Sequence, residues 1–311
     1  MPTGISDWKP GRTSRNEPRS FDLWFLHGTA TPCLHLFIAV KKKAVFFDLD
    51  DTLVVDEVVS HETLIEVGRQ ALEHHGAEPE RFVRDATEQA KTQWKAGPSH
   101  AYCRSIGISA FECLWGNFDG EGEDLTTLRE WSRTYRARVF DAALRLQMIE
   151  SATGGQGLAE AFTTIRRRLQ RLMPDAREVL TRLSADYAIG LLTNGAPDLQ
   201  REKIAASGLG DFFQAVTISG EYGIGKPRAE IFHRLAGSMK VEAAEAVMVG
   251  NSLERDIAGA RNAEITSIWI KVLGSEETDE AEPDFTITGL SEIPEILASL
   301  ETKDAPRENA A

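Results

Sequence analysis

Short apolar runs alternate with amphipathic stretches along most of this chain. The first run, AVFFD over residues 44–48, has strand length and β-favouring residues. Similar runs recur late: YAIGLLT ending at Thr193, AVTIS ending at Ser219, AVMVG ending at Gly250 and TSIWI ending at Ile270. A weaker one, DFTI, ends at Ile287. Helical patterns lie between the late runs, in PDLQREKIAASG, PRAEIFHRLAGSM and SLERDIAGARNA. Strands alternating with helices of this length predict a parallel α/β sheet with right-handed crossovers.

The interval from residue 55 to residue 172 is too long for one crossover and shows no strand pattern. It holds amphipathic stretches: VSHETLIEVGRQALEHHG, PERFVRDATEQAKTQWKAG, SAFECLWGNF and LTTLREWSRTYRARVFDAALRLQMIE. After a GGQG break comes LAEAFTTIRRRLQRLM, and PDAREVLTRLSA then leads back to the sheet. The expectation is a Rossmann-like α/β core, residues 41–54 and 173–298, with an inserted all-helical cap, residues 55–172. Residues 1–40 read as a disordered extension and 299–311 as a disordered tail. The most apolar stretch, FDLWFLHGTATPCLHLFIAV, is broken by Asp22, His27, Pro32 and His35. It therefore lacks the roughly 18 consecutive apolar residues of a membrane span.

Composition narrows the classes. Among 311 residues, 35 Lys plus Arg stand against 48 Asp plus Glu, a formal charge of −13. That balance argues against broad binding to nucleic acid or an anionic membrane. Three scattered cysteines, Cys33, Cys103 and Cys113, make neither a disulfide scaffold nor a zinc site. A reduced, cytoplasmic protein, monomeric or homodimeric, is expected.

The residues able to do chemistry sit where strands end, the place where ligands bind in open α/β sheets. The first strand runs into Asp48-Leu49-Asp50-Asp51-Thr52. Carboxylates at i and i+2 beyond a strand can face one site, one attacking an electrophile while the other moves a proton. Their mutual repulsion calls for a hard divalent cation such as Mg2+. An Asx-turn with capping aspartates is the competing reading. Thr193-Asn194-Gly195 offers a hydroxyl, an amide and a permissive turn for phosphate oxygens, and is equally a good turn. Lys226, before Pro227 and after a glycine-rich loop, is either a neutraliser of a phosphoryl group or a solvated lysine. In Gly250-Asn251-Ser252-Leu253-Glu254-Arg255-Asp256, Ser252 suits a helix cap, and Asp256 is near enough to return a carboxylate to the strand edge.

Taken together, DLDDT, TNG, Lys226-Pro227 and GNSLERD resemble the four signature motifs of the haloacid dehalogenase (HAD) superfamily, over roughly residues 41–298. The long interval after Asp48 is similar to members with a helical cap after the first motif. The resemblance implies a Mg2+-dependent phosphatase of a small phosphorylated metabolite. Asp48 would be the nucleophile, forming an aspartyl-phosphate, and Asp50 the acid and base. Thr193, Asn194 and Lys226 would hold phosphate oxygens; Asp48, Asp50, Asn251 and Asp256 would hold Mg2+. The family commonly has an aspartate at the position of Asn251. An amide brings no charge, so weaker metal binding is implied, with Asp256 compensating.

Other readings use the same residues. A dehalogenase would leave Asp50 without a proton to deliver, a phosphomutase would use both aspartates, and a binding module would have lost activity through Asn251. Trp94, Trp115, Phe118, Trp131, Tyr135 and Phe140 have helical spacing and read as cap core before substrate contacts. The arginines of IRRRLQRL read as a solvated helix face, with guidance of an anionic substrate as the lesser option. His61, His74, His75 and His233 form no metal-spaced set.

Overall fold

The computed structural model describes residues 40–272 and 281–302. The sheet grows from strand β1 (Ala44–Phe47), which is apolar and buried at every position, as expected of a parallel strand covered on both faces. A two-residue strand β2 (Val54–Val55) follows, then the helices α1 (Glu57–His75), α2 (Pro79–Lys95), α3 (His100–Ile106), α4 (Glu123–Leu146) and α5 (Gly154–Arg168). Strand β3 (Arg171–Leu172) and helix α6 (Ala176–Leu183) lead back to β4 (Ala188–Thr193). The chain continues through α7 (Pro197–Ser207), β5 (Ala215–Ile218), α8 (Ala229–Met239), β6 (Ala246–Gly250), α9 (Ala258–Asn262), β7 (Thr266–Ile270), β8 (Phe285–Ile287) and α10 (Ile293–Thr302).

Six strands form one parallel sheet in the order β5-β4-β1-β6-β7-β8. Val45 and Phe47 point into a layer shared with Leu180 and Leu183 of α6 and Leu297 of α10. Ala44 and Phe46 point into the opposite layer, against Ile231, Phe232 and Leu235 of α8. This is the α/β core with helices on both faces. The long helices α1, α2, α4 and α5 enclose a separate apolar core that includes Phe82, Tyr135, Phe140 and Phe162. Ala196 and Leu199, at the start of α7, join that same cluster and pack the helical insert onto the sheet domain.

The structure corrects several local expectations. The insert is not purely helical: β2 and β3 pair antiparallel where the chain leaves and rejoins the core. A two-residue strand is too short to carry a readable alternation. GGQG is not a break but the first turn of α5, because helices α4 and α5 approach closely there. The Gly155 N–H donates to Asp141 Oδ1 at 2.9 Å, and a Cβ on Gly155 would stand 2.3 Å from that oxygen. The stretch SAFECLWGNF supplies only the 3-10 turn Glu112–Leu114, whereas HAYCRSI, which carries no clear period, forms α3. Helix α5 stops at Arg168, so Arg171 and Leu172 are strand. Helix α10 runs to Thr302, four residues into the stretch read as a tail. Residues 1–39, including nearly all of the apolar stretch near the start, and 303–311 lie outside the described residues. Among the described residues no helix is long and apolar enough to cross a membrane.

Candidate active site

Strand β1 is where the sheet order reverses: β4 and β5 extend from one side of it, β6, β7 and β8 from the other. Such a switch point opens a crevice beyond the strand ends. Asp48 is the first residue after β1, and its N–H still donates along the ladder to Val249 O at 2.9 Å. The backbone is therefore fixed at the point where this side chain enters the crevice.

Lys226 meets it there. Its Nζ lies 2.5 Å from Asp48 Oδ1, 2.6 Å from Asp256 Oδ1 and 2.9 Å from Leu192 O. Asn194 sets its position by a reciprocal pair: the side-chain Nδ2 donates to Lys226 O at 3.1 Å, and Oδ1 accepts from Lys226 N at 2.9 Å. Burial pushes the Asp48 carboxyl above its ordinary value, with Lys226 pulling it down and Asp256 pushing it further up. Burial works against the Lys226 ammonium as well, but Asp256 and Asp48 outweigh it and hold the group above its usual pKa.

Asp256 is delivered by the turn after β6. Ser252 Oγ accepts from Arg255 N at 3.2 Å, the cap anticipated from the sequence. Residues Leu253–Ile257 then wind as a wide π-turn, and Ser252 N donates to Asp256 Oδ2 at 3.0 Å. Gly250 makes room for it, since a Cβ there would stand 2.3 Å from Asp256 Cγ. Gly250→Ala is accordingly expected to displace the carboxylate and to cost about 1–3 kcal/mol of stability. Urea unfolding checks this, and an unchanged midpoint would contradict the close approach.

Asp50 belongs to a different cluster. Lys203 Nζ lies 2.9 Å from each of its carboxylate oxygens, and Gln200 Nε2 donates to Oδ2 at 3.0 Å. Lys203 is buried and also sits 3.1 Å from Asp56 Oδ1 and 3.0 Å from Glu112 Oε1. Burial pushes the Asp50 carboxyl up to about 7; Lys203 opposes the rise, while Asp56, Glu112 and Asp48 add to it. A carboxyl poised there is suited to giving and taking a proton near neutrality. Asp51, the third aspartate of the run, takes the turn role instead. It has a positive φ of 59°, and its Oδ1 accepts from the N–H groups of Asp56 at 2.8 Å and Glu57 at 3.2 Å, opening α1.

A cavity of about 240 Å³ lies over these groups, bounded by Asp48, Asp50, Lys226 and Asp256 below and by Ser109 and Phe111 of the helical insert above. Asn194 borders it, whereas Thr193 does not. The Thr193 hydroxyl is buried at the end of β4 with no hydrogen-bond partner among the described residues. Thr52 Oγ1 lies 3.3 Å from Asp48 Oδ2 and 3.5 Å from Asn251 Oδ1, drawing the first and last motifs together. Trp269 Nε1 donates to Asn251 O at 2.9 Å and pins that backbone. The donors facing one another are all hard oxygens, from two carboxylates (Asp48 and Asp256) and one amide. That set fits Mg2+, although among the described residues no three Asp, Glu, His or Cys side chains converge as a metal cluster.

The residues singled out from the sequence thus converge in two linked groups, and the second contains side chains the sequence did not flag. Gln200 and Lys203 are at i and i+3 on α7, a spacing that puts them on one face but is common on any helix. The arginine run is not one solvated face. Arg166 is buried, its Nη2 lying 2.5 Å from Asp56 Oδ1 and its Nε donating to Ser60 Oγ at 3.2 Å. Arg167 pairs with Glu202, Arg171 pairs with Glu62, and Arg168 alone of the triplet is exposed. Trp115, Phe118, Tyr135 and Phe140 are cap core, with Trp94 and Trp131 packed against it. The aromatic residue at the cavity is Phe111, which was not among the candidates.

Comparison with known proteins identifies the family. The profile of haloacid dehalogenase-like hydrolases matches residues 42–264. A phosphoserine phosphatase of Thermus thermophilus is 38% identical over 256 residues, covering 81% of this chain and 97% of that protein. Human N-acylneuraminate-9-phosphatase is 30% identical over 269 residues, covering 85% and 96% respectively. Among solved structures, a magnesium-bound HAD hydrolase of Bacillus subtilis shares the fold with a TM-score of 0.57 at 19% identity, covering 83% of this chain and 99% of that one. Matches of this extent, on a chain whose strand-end residues meet as described, place it in the haloacid dehalogenase-like hydrolase family.

Proposed function

We propose that this protein is a Mg2+-dependent phosphatase of small phosphorylated metabolites, working through a phosphoryl group carried on Asp48. The observation that carries this reading is the contrast between the two aspartates. Asp48 faces a cationic corner made by Lys226, whereas Asp50 is set apart on Lys203 and Gln200, its carboxyl pushed up to about 7 chiefly by burial. One is set to attack and the other to exchange a proton.

Asp48 Oδ1 is held by Lys226, so Oδ2 is the oxygen that attacks phosphorus. As the new bond forms, the bond from phosphorus to the substrate alcohol breaks, and Asp50 passes its proton to that oxygen. Asp50, now ionised, takes a proton from water as the water attacks the same phosphorus; inorganic phosphate leaves and Asp48 is restored. Lys226 neutralises phosphoryl oxygens throughout, with Asn194 holding it in place, while the buried Thr193 hydroxyl stays off the cavity wall. Asp48, the main-chain carbonyl of Asp50, Asn251 and Asp256 would hold Mg2+, which would supply further charge neutralisation. Residues 55–172 act as the cap that shields the reaction from water, hinged at the β2–β3 ribbon. A halide leaving from carbon would need no proton, so Asp50 argues for phosphorus.

The cavity is smaller than the roughly 300–1,000 Å³ of drug-sized ligand sites, which favours a compact leaving alcohol. The relatives act on phosphoserine in one case and an N-acylneuraminate 9-phosphate in another, so an alkyl monoester of a small polar metabolite is the proposed substrate class. Free, buried Cys103 and Cys113 fit a cytoplasmic setting.

The test is a panel of phosphomonoesters, led by O-phosphoserine and 4-nitrophenyl phosphate, assayed for phosphate release with Mg2+ and with chelator. Metal-dependent release from at least one is expected, and folded protein inert to all would overturn the reading. Asn251→Asp adds a charged ligand and is expected to lower the Mg2+ concentration for half-maximal rate about tenfold, the order of one extra charge-assisted contact. An unchanged requirement would remove Asn251 from the metal site.

A further inference from the structure

The buried ionic cluster around Lys203 is larger than the acid–base role of Asp50 requires. Three carboxylates (Asp50, Asp56 and Glu112) surround it, and Arg166 adds a second buried cation on Asp56. Taking so many charges out of water is costly, and an apolar substitute would hold the two parts of the chain together as well or better. Asp56 and Glu112 alone would also neutralise Lys203, so its contact with Asp50 is not needed to satisfy the ammonium.

The geometry of that contact is specific. Equal 2.9 Å distances from Nζ to both oxygens, with Gln200 donating to Oδ2, fix the plane of the Asp50 carboxyl. The other contacts of Lys203 come from the cap and its hinge. Glu112 lies on the cap's 3-10 turn, and its Oε2 accepts from Ser109 N at 2.8 Å, beside the residues that roof the cavity. Asp56 stands between β2 and α1, clamped by Arg166 from α5. Any displacement of the cap therefore withdraws a partner from the ammonium that orients Asp50.

We propose that Lys203 is a positioning residue, aiming the Asp50 carboxyl at the leaving oxygen when Glu112 of the docked cap holds its ammonium. This rests on the phosphatase reading above. Proton delivery is what an alkoxide needs and a nitrophenolate does not, so misaiming Asp50 harms the two kinds of ester unequally. kcat/KM is the quantity to compare, because it reports only steps up to departure of the alcohol and is blind to later hydrolysis on Asp48.

The experiment measures kcat/KM for O-phosphoserine, or the best alkyl ester of the panel, and for 4-nitrophenyl phosphate, in wild type, Lys203→Met, Lys203→Arg and Glu112→Gln. For Lys203→Met, about a 100-fold loss on the alkyl ester is expected, within the usual range for general acid catalysis, against less than about fivefold on the aryl ester. Lys203→Arg recovers part of the alkyl activity, and Glu112→Gln loses about tenfold on the alkyl ester alone. Equal losses on both esters, or none on either, would overturn the proposal. If Lys203→Met does not fold, Glu112→Gln decides by the same criterion. Wild-type protein inert towards both esters would defeat the phosphatase reading instead.

Discussion

Asp48→Asn is expected to reduce turnover by about 10⁴-fold or more, the scale seen when a nucleophile is removed from a catalytic unit. The amide has nearly the same shape but cannot form an acyl phosphate. The fold is expected to survive, for two reasons. Burial already works against the charge at Asp48, so a neutral side chain is not penalised there. Lys226 also keeps Asp256 and Leu192 O as partners. Steady-state rates with 4-nitrophenyl phosphate and Mg2+, together with thermal unfolding, check both halves. The midpoint should stay within about 2–4 °C, the shift that 1 kcal/mol gives in a domain of roughly 150–250 residues. Retained activity would refute the nucleophile assignment.

Lys226→Met is expected to damage both activity and stability. It removes the cation between two buried carboxylates, leaving Asp48 and Asp256 to face one another. Loss of one side of a buried pair costs about 3–5 kcal/mol, and loss of a charge that neutralises the transferred group costs about 10²–10³ in kcat. The pH dependence has a definite sign. Asp48 already has a folded pKa above 3.8, and Lys226 is what restrains the rise. Without it the carboxyl moves further up. A raised carboxylate pKa destabilises the fold when the group is ionised and relaxes as it protonates. The stability deficit of the variant is therefore largest at neutral pH and shrinks as pH falls towards 3.8. Urea unfolding of both proteins at several pH values in that window tests this. A deficit that does not change with pH would show that the lost methylene packing, and not charge, is responsible.

Much of the core was legible because its signals are local. Four consecutive apolar residues in β1, and comparable runs in β4, β6 and β7, have strand length and alternate with helical patterns, as strands covered on both sides do. Parallel strands bring their carboxyl ends to one edge, so Asp48, Thr193 and the loop carrying Asp256 meet there whatever the cap does. What stayed hidden depends on partners distant in sequence. Lys203 is separated from Glu112 by 91 positions and from Asp50 by 153, and nothing on α7 tells a buried lysine from a solvated one. The same holds for Arg166. The run IRRRLQRL shows a basic helix, but which arginine turns inward is decided by Asp56, 110 positions earlier. The three aspartates after β1 divide their roles by geometry that spacing does not contain: Asp48 to Lys226, Asp50 to Lys203 and Asp51 to the start of α1.

Trapping the phosphorylated enzyme tests the central claim most directly. Asp50→Asn keeps the proposed nucleophile, Asp48, but removes the proposed base, and 4-nitrophenyl phosphate needs no acid to depart. With Mg2+ present, acid quench followed by peptide mass spectrometry is expected to find one phosphoryl group on the peptide containing Asp48. It should be absent from Asp48→Asn and labile to hydroxylamine, as an acyl phosphate is. No phosphoryl group on that peptide, in a variant that still liberates nitrophenol, would contradict Asp48 as the nucleophile.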